Sequence, residues 1–254
     1  MESVFHPGER RVQERAGVRD QAHKIGTGIH GTISTAAAEF LLAQSFAVLA
    51  AVDLVGKVWA SPLAGPRGFL EAVDERWLRV HALPVAGDPL EGFADGADVG
   101  VSGDGDAARE AGGAQRASAL DDRQQDWIRR ADTFFIATRD AEAGADASHR
   151  GGNPGFVHVV DGRRLAWPDY SGNRMFQTLG NLESDPRAGV LFPDFVRGRT
   201  LQLTGRATVD WDPARANGFA GAERVVDFAI DDVIEIRGRG GLQFRLIGRS
   251  PFNP

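Results

Sequence analysis

Short apolar runs broken by Gly, Pro and Asp recur along most of the chain, and they predict strands rather than long helices. From Phe46 the runs FAVLAAV, KVWAS, GFLEAVD and RWLRVHAL, with a turn at Asp53 to Gly56, read as an antiparallel meander. Two stretches before it have a different texture. Pro7 to His23, rich in Glu, Arg, Gln and Ala, predicts a solvated helix, and Thr35 to Gln44 a second helix with Leu41 and Leu42 on its buried side. Ala94 to Asp122 is mostly Gly, Ala, Asp and Ser, with little to bury, and reads as a linker. Beyond it, QDWIRRADTFFIATRD restarts the helix-then-strand order. Strands follow through GFVHVV, RLAW, AGVLF and RTLQLTGRATVDW, with one helix at about Asn173 to Leu182. Trp59, Trp77 and Trp167 fall in strand patterns and are expected in the core. Asp231 and Asp232 are expected to form a turn between VVDFAI and VIEIRG.

These patterns repeat. ASPLAGPRGFLEAVDERWL aligns without a gap on ASHRGGNPGFVHVVDGRRL. Ala60, Ser61, Gly65, Gly68, Phe69, Val73, Asp74, Arg76 and Leu78 match Ala147, Ser148, Gly152, Gly155, Phe156, Val160, Asp161, Arg163 and Leu165. Ala50 and Asp53 match Ala137 and Asp140 at the same offset. One copy therefore serves as a control for the other. Shared Gly and apolar positions are those a hairpin needs to fold, whereas positions that differ are where ligand chemistry is free to sit. The second copy has His149, Arg150 and Asn153 where the first has Pro62, Leu63 and Pro66, so function is expected to concentrate in the second half. The organisation expected is residues 1–93 as N-terminal helices and a partial unit, 94–122 as linker, and 123–254 as the C-terminal unit.

Composition narrows the chemistry. The 254 residues are 42% hydrophobic and 25% charged, which suits an ordinary globular protein. A net charge of −6 supplies no global positive field for a phosphate backbone, so nucleic acid is not an expected partner. There is no cysteine, which excludes disulfides, thiolate metal sites and cysteine nucleophiles, and means that redox work needs a borrowed cofactor. Lys24 and Lys57 are the only lysines, so Schiff-base chemistry is excluded from the second half. The longest apolar run, Ala36 to Val55, is interrupted by Glu39, Gln44, Ser45 and Asp53, and Met1 to Arg15 lacks the apolar core of a signal peptide. No membrane association and a cytoplasmic location are the expectations.

Candidate chemistry sits in SHRGGNPGF, where an Arg at a strand end precedes a glycine-rich turn suited to an anion such as a phosphate. A plain hairpin turn with a surface Arg explains the same string. Thr178 and Asn181 lie three apart on one face of the expected helix, and Arg199, Thr200 and Gln202 lie on a following strand. No phosphate-binding loop G-x-x-x-x-G-K-[ST] or nucleophile elbow G-x-S-x-G occurs, no G-x-G-x-x-G follows a strand to open a helix, and His149 and His158 lack the spacing of a zinc site.

The strings ADTFFIAT, ADASHRGGNPGF and NRMFQTLGNLESDPRAGVLFPDFVRGRTLQLTGRA, with SPFNP at the end, resemble the FMN-binding split β-barrel proteins related to pyridoxamine 5′-phosphate oxidase. FHPGERRVQERAGV, FLLAQSFAVLAAVD and GKVWASPLAGPRGF are similar to the front half of a duplicated bacterial subgroup. The resemblance implies a mainly β fold with flanking helices, a Greek-key split barrel, and two repeated units forming an intrachain pseudo-dimer that can associate further as a homodimer. VSGDGDAAREAGGAQRASAL stands where the family has an Arg-rich strand, which implies that the first barrel is incomplete. Carried over by position, the FMN-binding residues are Ser148, Arg150, Asn153, Thr178, Asn181, Arg199 and Gln202. The implied function is FMN-dependent oxidoreduction of a small-molecule substrate, with NAD(P)H as electron donor. The C-terminal Arg-containing signature of true pyridoxamine phosphate oxidases is missing, which argues against vitamin B6 synthesis. The alternative is a non-catalytic module of the same fold that binds a flavin, a deazaflavin or a haem.

Overall fold

A computed structural model describes residues 3–91 and 113–237. Most of the expected linker and the closing SPFNP string lie outside the described residues. The chain opens with α1 (Pro7–Arg15) and α2 (Arg19–Gly26), not one continuous helix. Gly17 at φ 69° supplies the break. Nor is α1 simply solvated, since Glu9, Val12 and Gln13 are buried. In α3 (Thr35–Ala43) Leu41 packs partly inward, but Leu42 is 51% exposed, a correction to its expected burial.

Two antiparallel hairpins follow: β1 (Phe46–Val52) with β2 (Val58–Ala64), and β3 (Leu70–Ala72) with β4 (Leu78–Val80). β5 (Ala114–Ala117) lies inside the stretch expected to be linker and pairs with the last strand, so edge hydrogen bonding ordered residues that composition alone did not. The next elements are α4 (Asp122–Arg130), β6 (Thr133–Asp140), β7 (Gly144–Gly151), β8 (His158–Asp161), β9 (Arg164–Tyr170) and α5 (Gln177–Ser184). β10 (Arg187–Asp194), β11 (Arg199–Asp210), the short α6 (Pro213–Ala216) and β12 (Ala222–Arg237) complete the set.

One sheet carries the second half in the order β7-β6-β10-β11-β12-β9-β8, with β5 also on β12. Its inward side chains, among them Phe134, Ile136, Trp167, Phe192, Leu203 and Phe228, form the main core, and Ile128, Leu179 and Leu182 close it from α4 and α5. The fold is thus mainly β with flanking helices. Asp231 and Asp232 are not a turn. β12 runs through them as one strand of 16 residues, and the pairing shift between Thr204 and Gly205 marks a β-bulge there.

The β1–β2 hairpin packs on the outer face of this sheet. Val58 and Ala60 meet Ala137 and Leu191, while Trp59 and Ala51 meet Leu90, Ile234 and Ile236. A Cβ on Gly189 would sit 2.6 Å from the Trp59 Cα, so only glycine lets the hairpin backbone approach β10 this closely. Trp59 and Trp167 are buried as expected, whereas Trp77 is 69% exposed. It lies at the end of the small β3–β4 sheet, which pairs with no further strand among the described residues. Among the described residues no helix is long and apolar enough to cross a membrane.

Candidate functional site

The β6–β7 register places Thr138 opposite Asp146, Ile136 opposite Ser148, and Phe134 opposite Arg150. Residues directly opposite in an antiparallel pair share a face. Because Phe134 and Ile136 point into the core, Asp146, Ser148 and Arg150 lie on the same inward side at its open end. α5 covers this side by turning Leu179 and Leu182 to the core, which leaves Thr178 and Asn181 facing the strands, both buried. The Asn181 Nδ2 group donates to Thr138 Oγ1 at 3.0 Å and to Asp146 Oδ2 at 2.5 Å, tying helix to hairpin. Ser148, Arg150, Thr178 and Asn181 are therefore brought to one neighbourhood.

Sequence reasoning missed four residues there. Asp146 and Thr138 carry a signal in hindsight, since Asp146, Ser148 and Arg150 alternate as one strand face must. His6 and Glu9 come from α1, with no local signal beyond a helix start. His6 caps α1 by accepting from the Gly8 N–H at 3.2 Å, and Glu9 Oε2 accepts the His6 N–H at 2.8 Å. His6 Nδ1 also lies 3.5 Å from Asp140 Oδ2.

The electrostatics follow from burial. Burial pushes the Asp146 carboxyl above its ordinary value, opposed by the Asn181 hydrogen bond and the Arg150 charge. Burial also raises Glu9, against the hydrogen bond and charge of His6, while Asp146 and Asp140 push it further up. Asp140 goes the other way, because the Glu142 N–H at 2.9 Å and the Ala143 N–H at 3.1 Å stabilise its charge. Arg150 donates to the His149 carbonyl at 2.9 Å. Burial lowers its pKa, against the charges of Asp169 and Asp146, which raise it. Asp146 Oδ1, Thr178 Oγ1 and His6 Nε2 are buried without a hydrogen-bond partner, the condition in which a polar ligand atom gains most.

Three sequence-predicted residues do not join this group. Asn153 lies in the exposed turn after β7, where its carbonyl accepts the Phe156 N–H at 2.9 Å. Gln202 faces the opposite side of the sheet and is fully buried against the first half. It donates to the Ala60 carbonyl and Ser61 Oγ at 3.1 Å and to Asp88 Oδ2 at 3.0 Å. The reason is the period of two in β11: Leu201 and Leu203 take the core, so Gln202 points outward. Burial raises the Asp88 carboxyl beside it, which Ser61 Oγ holds at 2.6 Å. Arg199 bonds Asp194 at 2.8 Å and stacks over Trp127 at 5.0 Å. Arg199 Nε, Thr200 Oγ1 and Gln202 Oε1 are likewise buried without a hydrogen-bond partner.

A shallow depression lies beyond the C-terminal end of α1, lined by Ala16, Ser171, Gly172, Arg174, Phe176 and Arg224 among others. Arg174 and Phe176 have φ of 62° and 64°, unfavourable for residues with a Cβ. The loop is held by Gln13 Nε2 donating to the Met175 carbonyl at 2.9 Å and by Arg224, whose guanidinium lies 5.0 Å from the Phe176 and Trp211 rings.

Residues 120–243 match the family model described as pyridoxamine 5′-phosphate oxidase. No curated protein matches the chain. Among solved structures, HupZ of Group A Streptococcus is 15% identical with a TM-score of 0.38, over 50% of this chain and 99% of that one. A putative pyridoxamine 5′-phosphate oxidase from Lactobacillus delbrueckii is 18% identical with a TM-score of 0.38, over 46% and 94%. A conserved hypothetical protein from Mycobacterium tuberculosis is 19% identical with a TM-score of 0.38, over 54% and 98%.

Proposed function

We propose that the protein binds FMN at the β6–β7–α5 face and acts as an oxidoreductase, a reading supported by the match of residues 120–243 to the pyridoxamine 5′-phosphate oxidase family model. The observation that carries this reading is the polar face itself, with Thr178 Oγ1 and Asp146 Oδ1 buried and unpartnered. The residues fit such a group. Arg150 supplies a cation for a phosphate, and Ser148, Thr178 and Asn181 supply hydroxyl and amide groups for a polyol chain. Burial raises the Asp146 carboxyl above its ordinary value, while the Asn181 hydrogen bond and the Arg150 charge pull it back down. When bound, the flavin supplies hydride or electron transfer between a reduced donor such as NAD(P)H and a small acceptor. The protein's own part is to orient it and to exclude water beneath α1. The cytoplasm, where NAD(P)H is available, is the proposed setting.

We also read the two halves as copies of one unit that form an intrachain pseudo-dimer, with residues 1–93 as a partial barrel and 123–254 as the ligand-binding barrel. Further association as a homodimer belongs to the same reading, and sedimentation at rising concentration tests it. A second functional reading, a module that holds a flavin, deazaflavin or haem without turnover, is favoured by one observation: the unpartnered atoms are sealed from solvent.

The visible spectrum of the purified protein before and after FMN, and then with NADPH under anaerobic conditions, separates these readings. Flavin bands that bleach with NADPH are expected. Bands that persist favour the module, and no retained flavin overturns the oxidoreductase reading.

A further inference from the structure

We propose that α1 is a movable wall of the β6–β7–α5 site, and that it lifts to admit a ligand to Asp146 and Thr178. The proposal rests on the reading of that face as a flavin site for its ligand, but not for the motion.

The argument begins with access. Asp146 Oδ1, Thr178 Oγ1 and His6 Nε2 are all sealed from water, so a ligand reaches them only if a wall moves. The strand walls are continuous ladders: β6 pairs with both β7 and β10, and β10 with β11. α5 is anchored in the main core through Leu179 and Leu182. By contrast, Val12 is the single α1 residue among the described members of that core, and the buried Phe5 just before the helix lies against Gly26 of α2.

Polar ties supply the rest of the attachment. They are His6 to Asp140 at 3.5 Å, Arg11 to Glu183 at 3.8 Å, Gln13 to the Met175 carbonyl, and Arg15 over the Trp211 ring at 4.4 Å. The exposed ties, Arg11 to Glu183 and Arg15 to Trp211, have replacements in water, and the buried ones at His6 and Gln13 are few, so freeing α1 breaks less than opening a ladder or a core. The closed position is nonetheless specific. A Cβ on Gly8 would lie 2.2 Å from the Gly180 carbonyl oxygen, and one on Gly180 would lie 2.6 Å from the Glu9 Cα, so the two helices meet backbone to backbone. The same helix places Glu9 against Gly180, the chain neighbour of Asn181, which holds Asp146. Lifting α1 therefore exposes the whole polar face in one motion.

The chain has no cysteine, so a pair introduced at Arg11→Cys and Glu183→Cys, both partly exposed and outside the site, can be joined by a short thiol-specific cross-linker. Native-state hydrogen exchange on the wild type is expected to show α1 amides opening at least 10-fold more often than β10 and β11 amides, and the cross-link is expected to abolish that difference. Uptake of FMN, followed by quenching of its fluorescence, is expected to slow at least 10-fold in the cross-linked protein relative to the uncross-linked pair variant. Exchange of α1 only together with the β10–β11 core overturns the proposal, as does equal uptake with and without the cross-link. Local opening of α1 without FMN uptake by any form supports the movable wall and sinks the flavin reading instead.

Discussion

The hairpins β1–β2 and β6–β7 share a backbone and differ in the chemistry of one face. Ser34 and Asp121, 87 residues apart, cap α3 and α4 by accepting the Ala37 and Gln124 N–H groups. Gly65 donates to the Ser45 carbonyl at 3.2 Å and Gly152 to that of Asp132 at 3.1 Å, at the same spacing. Gly68 and Gly155 both turn the chain at φ near 93–95°, a conformation that favours glycine. On this common frame the first hairpin turns Ala51, Trp59, Ser61 and Leu63 to one face, all buried, and the second turns Thr138, Asp146, Ser148 and Arg150 to the equivalent one. An apolar face packs against Leu90, Ile234 and Ile236, whereas a polar face of the same geometry needs partners that core packing cannot supply. The difference is the ground on which we propose ligand chemistry for the second half, without any appeal to the turn they share. It also explains Leu78, 40% exposed, against its counterpart Leu165, 1% exposed. Leu165 packs inside a sheet completed by β10 to β12, and among the described residues the β3–β4 pair has no such continuation.

The largest expected effect breaks the packing of the first hairpin. Trp59→Ala should cost roughly 3–5 kcal/mol in urea unfolding, as large core truncations do. The substitution at its counterpart, Asp146→Ala, should cost at most about 1.5 kcal/mol, because it removes one hydrogen bond along with a carboxyl that burial already disfavours. Equal losses would erase the distinction between an apolar and a polar face.

Next comes an anchor found only in the second half. Glu235 is fully buried; burial alone would raise its pKa, but hydrogen bonds from Arg123, Gln124 and Arg237 reverse that and hold it at about 2. α3 has Ala36 and Ala37 where α4 has Arg123 and Gln124. Glu235→Gln should cost roughly 3 kcal/mol at neutral pH. A depressed carboxyl stabilises fully above its unfolded value, and that contribution is lost as pH falls toward the folded one. The gap between variant and wild type should therefore shrink between about pH 5 and pH 2 in chemical denaturation, and a constant gap would refute the assignment.

Arg150→Leu writes the first-half residue, Leu63, into the second half. FMN affinity should fall about 10- to 100-fold in an equilibrium titration while the melting temperature holds. The smallest effects compare the two caps. Asp121→Ala, which loses a reciprocal capping box, should cost about 1 kcal/mol, and Ser34→Ala about half of that, by denaturant midpoint.

Much of the fold was legible because strand periodicity is local. The short apolar runs in FAVLAAV and TFFIATRD predicted β1 and β6, and LTGRATVD lies within β11. Four of the seven candidate site residues gather on one face, because alternate positions on a strand and positions three apart on a helix obey fixed geometry. The rest was illegible for particular reasons. Glu9 and Gln13 look like solvent-facing residues until α1 is laid on α5. Nothing near Gln202 in the sequence announces that Asp88 and Ser61 close over it, and Asp231 looks like a turn until a bulge accommodates it in a long strand.

The sequence by itself determined the hairpins, their turns, the two helix caps and the apolar inward face of the second sheet, since each depends on residues within a few positions of one another. The tertiary structure alone decided that β1–β2 packs on β10 and that α1 roofs the polar face. Those choices rest on contacts such as Gln13 with Met175, 162 residues apart, and on close approach at Gly180 and Gly189. Periodicity states which face of an element is buried, but shape and charge complementarity between distant faces decide what buries it.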